Sequence, residues 1–199
     1  MPDHAQIAAQ ATAAQEFWWV PPLVVAIGVV VAILAIEANR RIARMRATLD
    51  LIERTESSDH YRDIRKAFRI LIDDPSEDTL HRLADAKNDS DRATGQKIYT
   101  YLNHYELVAI GCNAGILDED YYAVWMRSTL VRDWEGARRF IEICRDRPNR
   151  KNPSAFINFE NMAKRFRDDP RYRRGAQGSA RSFGGPLRRL ADWVWPSRA

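Results

Sequence analysis

The longest apolar stretch of the chain runs from Phe17 to Ile36, twenty positions without a charged side chain. Twenty residues at a helical rise of roughly 1.5 Å make a rod of about 30 Å, which is the thickness of a bilayer's hydrocarbon core. A cleaved signal peptide would need a basic residue before the stretch and a shorter apolar run. The pattern therefore predicts a short N-terminal tail over residues 1–16 and a transmembrane helix over residues 17–36.

The charges that flank this run predict its orientation. No Lys or Arg precedes it, whereas four arginines follow within ten residues: Arg40, Arg41, Arg44 and Arg46. Because cationic flanks stay on the cytoplasmic side of a membrane, we expect the N-terminus outside and the rest of the chain in the cytoplasm. Trp18 and Trp19 then fall at the outer lipid interface, where amphipathic indole rings are favoured.

Two patterns leave self-association open. Gly28 and Ala32 form a small-xxx-small pair that would let two membrane helices approach closely, although such pairs also arise by chance. Beyond the run, a heptad-like apolar stripe predicts that the helix continues to about Arg54. Its members are Ile42, Met45, Leu49 and Ile52. This stripe would pack either on the protein's own domain or on a second copy.

The rest of the chain to residue 169 shows helical spacing of apolar residues and no strand pattern. Breaks are expected at residues 55–59, 74–76 and 88–91, with Gly115 as a C-cap, Asp118 as the N-cap of a short helix, and Asn152 as an N-cap before Pro153. The sequence thus predicts an all-α protein, in which the membrane helix continues into a small cytoplasmic helical bundle over residues 37–169. The expected core stripes comprise Tyr61, Ile64, Phe68, Leu71, Leu80, Leu83, Ile98, Leu102, Tyr105, Ala109, Cys112, Leu130, Trp134, Ala137, Ile141, Cys144, Phe156, Phe159, Ala163 and Phe166.

Residues 170–199 differ in composition from the bundle and predict a basic, flexible tail. Its end, GPLRRLADWVWPSRA, has an amphipathic pattern, with Trp193 and Trp195 beside an apolar face and Arg188 and Arg189 opposite. Tryptophans with arginines on a short amphipathic segment are typical of a lipid interface. Docking on a protein surface is the alternative.

The charge distribution also favours a membrane surface. The net charge is +4, and residues 164–199 alone carry ten Lys or Arg against three Asp. These cations suit anionic lipid head groups. Nucleic acid is the less favoured partner, although Arg165, Arg167 and Arg171 alternate with aromatic residues in a way that also fits a strand of bases.

Few residues carry recognisable chemistry, and we expect no catalytic, cofactor-binding or metal-binding residue. The sequence lacks phosphate-binding glycine motifs, a nucleophile elbow and a metal-ligand spacing. Asn103 and Glu106 share a helical face and are either a half-buried polar site or, as we favour, partners of groups between packed helices. The acidic run 118–120 is better explained by a helix N-terminus than by a cation.

Several short motifs resemble an uncharacterised bacterial family known only as a domain of unknown function (number 4760). They are residues 46–52, 101–106, 109–111, 115–119 and 131–134. The resemblance implies a small helical domain, often membrane-anchored, found in bacteria and their prophages and without established enzymatic activity. It therefore also implies that the membrane is the bacterial inner membrane.

These observations lead to an expected function without catalysis. We expect a single-pass inner-membrane protein whose domain binds or scaffolds, as an accessory subunit of a membrane protein complex. The alternative is a membrane-tethered effector of the prophage type, acting in phage exclusion or as a toxin. An enzyme that uses the region of Glu106 is the third hypothesis.

Overall fold

The computed structural model describes residues 19–147 and 151–173, and in this part of the chain all regular structure is helical. The prediction of an all-α protein with a long apolar N-terminal helix followed by a helical bundle is confirmed. The helices in order are α1 (Val20–Ser57), α2 (Asp59–Phe68), α3 (Ile70–Asp73), α4 (Glu77–Ala84), α5 (Asp89–Asn113), α6 (Glu119–Arg145), α7 (Ile157–Asp168) and α8 (Pro170–Arg173).

The chain divides between Ala43 and Arg44 into two compact units, and the first contains the apolar part of α1. The aliphatic side chains from Leu23 to Ile36 are all exposed, and no residue of the most apolar window is buried. An apolar helical surface exposed on every side is unfavourable in water. The first unit therefore does not behave as the core helix of a water-soluble protein.

The second unit begins with the end of α1, which contacts the bundle through a polar residue. Thr48 is fully buried, and its hydroxyl donates to the Arg44 carbonyl (2.8 Å) and accepts from the Asp118 N–H (2.9 Å). Leu51 and Ile52 pack beside it against the core.

The predicted apolar stripe packs on the domain only in part. Ile52 does pack on the domain, but Ile42 and Leu49 are exposed. The helix turns Thr48 inward because the hydroxyl satisfies a backbone N–H of the bundle. An apolar periodicity cannot reveal a contact of this kind.

The predicted stripes form most of the core of the bundle, which also contains buried residues outside them such as Tyr101, Tyr122 and Phe140. Helices α2, α4 and α7 pack against α5, while α3, α4 and α7 pack against α6. All twenty expected core residues are buried. Burial of this many large apolar side chains, at roughly 1.5–3 kcal/mol each for the aliphatic and aromatic ones, is the main stabilising term of the domain.

The helix boundaries agree with the sequence at four of the N-caps. The side chains of Ser58, Ser76, Asn88 and Asp118 each accept a hydrogen bond from the backbone N–H three residues later. Gly115 has a φ of 68°, which is the left-handed conformation expected of a C-cap glycine. Asp118 begins one continuous helix of 27 residues, α6, and not the short helix that we predicted.

The predicted N-cap at Asn152 is wrong. Residues 153–156 form turns, and α7 begins at Ile157 after Phe156, which has a left-handed φ of 58°. A carboxylate from another helix takes the role of the cap, because Glu106 of α5 accepts from the first N–H groups of α7. This partner lies about fifty residues earlier in the chain, so local sequence cannot indicate it.

Candidate functional site

Glu106 is the polar residue to which the sequence pointed most directly, and its carboxylate is fully engaged between helices. One oxygen accepts from the Asn158 N–H (3.2 Å) and the Asn158 side-chain amide (2.7 Å), and the other accepts from the Phe159 N–H (2.8 Å). A negative charge at this position also complements the dipole of α7. Asn103 is exposed and makes none of these contacts. The geometry therefore fits the structural alternative for Glu106, whereas the expectation that Asn103 lies between packed helices is wrong.

The acidic run at the start of α6 is held in the same manner. Asp118 caps the helix through the Tyr121 N–H (2.9 Å), Glu119 binds the guanidinium of Arg165 (3.0 Å), and Asp120 accepts from the Tyr172 hydroxyl (3.0 Å). Across the described ranges, no group of three His, Cys, Asp or Glu side chains is placed to hold a metal ion. Each carboxylate of the run therefore has a partner within the fold.

A buried polar cluster that sequence analysis missed lies between α2, α5 and α6, and we call it the tyrosine–aspartate cluster. Asp133 is only 1% exposed and accepts from the hydroxyls of Tyr101 (2.6 Å) and Tyr105 (2.9 Å). The guanidinium of Arg132 contacts its other oxygen at 3.0 Å. The fourth member, Tyr61, stacks at a tilt on Tyr101, with ring centroids 5.4 Å apart. The carboxylate thus joins α5 to α6, and the ring of Tyr61 adds a contact from α2.

Burial determines the protonation of this cluster. It raises the pKa of the Tyr101 and Tyr105 hydroxyls far above their ordinary value, and the negative charges they face act in the same direction. Burial also lowers the pKa of His104, whose ring meets the edge of Tyr61, to about 4. At neutral pH the tyrosines therefore remain hydrogen-bond donors and the imidazole is uncharged. Groups held in this way stabilise a fold and are poorly suited to exchange protons with a substrate.

A small opening lies next to the cluster, where α1 crosses the bundle. Thr55, His104, Tyr122 and Met126 are among the residues that line it. The hydroxyls of Tyr61 and Tyr122 are buried and have no hydrogen-bond partner within the described chain. Buried polar atoms of this kind commonly bind an ordered water. Nothing larger is indicated by these contacts.

The two cysteines are core residues. Cys112 and Cys144 are both buried and unpaired by any disulfide. Burial raises the pKa of the Cys112 thiol to about 12, and it also raises the pKa of the Cys144 thiol. The thiolate is the reactive form, so both side chains are weak nucleophiles at neutral pH.

Four of the ten predicted membrane-interface residues belong to α1 within the described chain. Arg40 pairs with Glu37 (3.2 Å) on an exposed surface, Arg44 is half-buried, and Arg46 is exposed. Arg41 is half-buried. Trp19, just before α1, is also exposed. The other predicted members lie outside the described residues: Trp18, Arg188, Arg189, Trp193 and Trp195.

The arginines that prompted the nucleic-acid hypothesis are engaged in the fold where they are described. Arg165 binds Glu119, and Arg171 binds Asp169 (2.7 Å). Phe166 is fully buried, and the Tyr172 ring packs against it with centroids 4.9 Å apart. These rings are therefore not free to stack on bases.

Together, these observations define a helical domain that carries one helix long and apolar enough to cross a membrane. Near an N-terminus, the same length and composition also fit a signal sequence. The sequence matches the family described as Domain of unknown function (DUF4760) over residues 22–166. The chain belongs to this family. No curated protein and no solved structure matches it significantly.

Proposed function

We propose that this protein is a single-pass membrane protein whose helical domain binds a partner and performs no catalysis. The observation that carries the proposal is α1 itself, whose apolar half has no buried residue while its other end is fixed in the bundle by Thr48. A cleaved signal sequence would be removed from the domain. The family match begins at residue 22, inside the apolar run, which supports a span that is retained as part of the domain.

The orientation follows from the charges. Arg40, Arg41, Arg44 and Arg46 directly follow the apolar run, so the N-terminus lies outside and the domain lies in the cytoplasm. The membrane is the bacterial inner membrane, and anionic head groups contact these arginines.

The absence of catalysis is supported by how the buried carboxylates are used. Glu106 caps α7, and Asp133 accepts from two tyrosine hydroxyls, so the two strongest candidates for acid–base chemistry act as structural partners. What the domain offers to other molecules is its surface. We propose that this surface serves an accessory subunit of a membrane protein complex.

Anchoring and orientation are tested by fractionation and by reporter fusions. We expect the full chain to resist carbonate extraction, an N-terminal periplasmic reporter to be active, and a C-terminal cytoplasmic fluorescent reporter to fluoresce. Replacing Val25 and Val30 by Arg should release the protein, since each charge at the centre of a span costs about 2.5–3.5 kcal/mol. Ser128→Arg, on the exposed surface of α6, is the matched control. Release of the wild-type chain by carbonate would refute the anchor.

The accessory role is tested by purification of the tagged protein, expressed at native level, from membranes in mild detergent. We expect one membrane complex to co-purify in stoichiometric amount and to be identified by mass spectrometry. Recovery of the chain alone would contradict the accessory role, whatever the outcome of the fractionation.

A further inference from the structure

The exposed apolar side chains of the second unit concentrate around the turn between α5 and α6. Ile116, in this turn, is 65% exposed, Leu107 in the last turns of α5 is 60% exposed, and Trp125 in the first turns of α6 is 60% exposed. Ile110 and Val124, on the same stretches of the two helices, are exposed as well. Isolated exposed apolar residues are ordinary, but five of the eight in the described part of the second unit fall between residues 107 and 125, and such an excess favours contact with an apolar partner.

The turn holds Ile116 in a fixed outward position. The Ile116 N–H donates to the Gly111 carbonyl (2.9 Å), and the Gly115 N–H donates to the Cys112 carbonyl (3.0 Å). These are the two hydrogen bonds of a Schellman motif, in which the residue at the position of Ile116 usually packs on the side chain at the position of Gly111. Glycine offers no such side chain, and Leu117 covers it instead. Ile116 is thus presented by an ordered backbone and remains largely exposed.

This turn is joined directly to the helix that leaves the apolar run. Thr48 accepts from the Asp118 N–H at 2.9 Å, and Arg44 Nη1 lies 3.9 Å from the position that a Cβ would take on Gly115. Only eight residues of chain lead from Ile36 to Arg44, a maximum reach of about 28 Å. This length of chain allows the turn to meet a membrane in which the apolar run is inserted, and the tether makes the local lipid concentration high.

The charges near the turn favour an anionic surface. Arg44 borders the turn, and Arg46 is exposed two residues further along α1. The adjoining carboxylates 118–120 are all occupied by partners of the fold. A second copy that met this face with the arginines near the two-fold axis would bring like charges together. Phosphate head groups would instead neutralise them.

We propose that the α5–α6 turn is a second membrane contact, in which Ile116 enters the interface of an anionic bilayer while Arg44 and Arg46 bind lipid phosphates. This inference rests on the proposed membrane anchor. It adds that the domain is held against the lipid surface by its own turn, a weak contact that the stable insertion of the anchor makes effective.

The test places the full chain in vesicles of phosphatidylcholine with or without phosphatidylglycerol and attaches an environment-sensitive fluorophore at Ile116→Cys. We expect a blue-shifted emission and quenching by spin-labelled lipids in the anionic vesicles. Ile72→Cys is the matched control, because Ile72 is also an exposed isoleucine but lies far from the turn. It packs beside Gly136 of α6, which follows Asp118 of the turn by eighteen residues. The buried native cysteines should label little, which the wild-type chain measures directly.

Each outcome separates this inference from the anchor. A probe at Val30→Cys that is quenched by lipid, with a probe at Ile116→Cys that remains in water, would overturn the turn contact and leave the anchor intact. Absence of quenching at both positions would refute the anchor. A blue shift at Ile116→Cys without lipid quenching would indicate a protein contact and overturn the proposal. Arg46→Gln should reduce the quenching at Ile116→Cys in anionic vesicles, and an unchanged signal would contradict the role of the arginine.

Discussion

Removal of the Asp133 carboxylate is the most direct test of the tyrosine–aspartate cluster. Asp133→Ala takes away the acceptor of the hydroxyls of Tyr101 and Tyr105, at 2.6 and 2.9 Å, in a site that solvent does not reach. A buried donor left without an acceptor costs about 1–3 kcal/mol. The two hydroxyls lie 3.2 Å apart and can bond to each other, so one donor is orphaned and the other is partly satisfied. We expect the variant to lose about 2–4 kcal/mol of unfolding free energy.

The assay is equilibrium unfolding of the full chain in detergent by urea, followed by far-UV circular dichroism. Glu135→Ala is the matched control, because Glu135 lies two positions further along α6 and is exposed. Exposed substitutions of this kind stay within about 0.5 kcal/mol of wild type. If Asp133→Ala unfolded at the same urea concentration as Glu135→Ala, the cluster would contribute nothing to stability and the reasoning would fail.

A second comparison distinguishes an orphaned donor from lost packing. Replacing Asp133 by Leu together with Tyr101→Phe and Tyr105→Phe removes the donors and the acceptor at once. Exchange of a whole buried polar group for apolar groups of similar shape can be nearly neutral. We therefore expect the triple variant to be more stable than Asp133→Ala. A triple variant that lost more stability than the single variant would indicate that packing, and not an unpaired hydroxyl, sets the cost.

Further predictions concern other parts of the domain. The pKa of His104 is lowered to about 4 in the folded state, so the unfolded chain binds the proton at a higher pH than the folded chain does. The contribution of His104 to the free energy of unfolding is therefore complete above pH 6.5 and should fall by about 3 kcal/mol as the pH drops toward 4. His104→Phe should flatten that part of the urea-midpoint profile, and His60→Gln, exposed on α2, should not. Gly95→Ala should destabilise the domain by more than about 2 kcal/mol, because the new Cβ would lie 2.6 Å from the Leu83 carbonyl oxygen. Gly111→Ala should destabilise it less, since its Cβ would meet only the end of the Leu117 side chain. Equal urea midpoints for the two variants would contradict this distinction. Glu106→Ala should lower the free energy of unfolding by about 1–3 kcal/mol, and Asn103→Ala, at an exposed position, should leave it unchanged. An unchanged free energy for Glu106→Ala as well would show that α7 needs no carboxylate cap.

The sequence predicted those features that depend on local periodicity and capping. The core stripes, the breaks at residues 55–59, 74–76 and 88–91 and the N-cap Asp118 needed only a helical spacing and a side-chain oxygen in the right place. The start of α7 could not be predicted, because its cap is Glu106 of another helix. The inward position of Thr48 was equally hidden, since a buried hydroxyl that bonds to Asp118 leaves no apolar pattern.

The tyrosine–aspartate cluster was missed for a related reason. Tyr101 and Tyr105 are four residues apart, so sequence could place them on one face, but Asp133 follows almost thirty residues later and nothing in the sequence links it to the two tyrosines. An Arg132–Asp133 dipeptide is more often exposed than buried. A polar residue at a core position of the α6 stripe was the available signal, because Asp133 lies three positions after Leu130 and four before Ala137.

The use of the carboxylates determines where function should be sought. Residues that sequence analysis nominates for chemistry are usually polar residues near apolar stripes, and here Glu106 and Asp133 fit that description. Both are fully occupied by donors of the fold, so their substitution reports mainly on stability. A loss of function on their replacement could arise from unfolding alone. Ile116 and Arg46 are exposed, so a loss of function on their replacement would report a lost contact. Surface substitutions that leave unfolding unchanged are for this reason the informative ones in this protein.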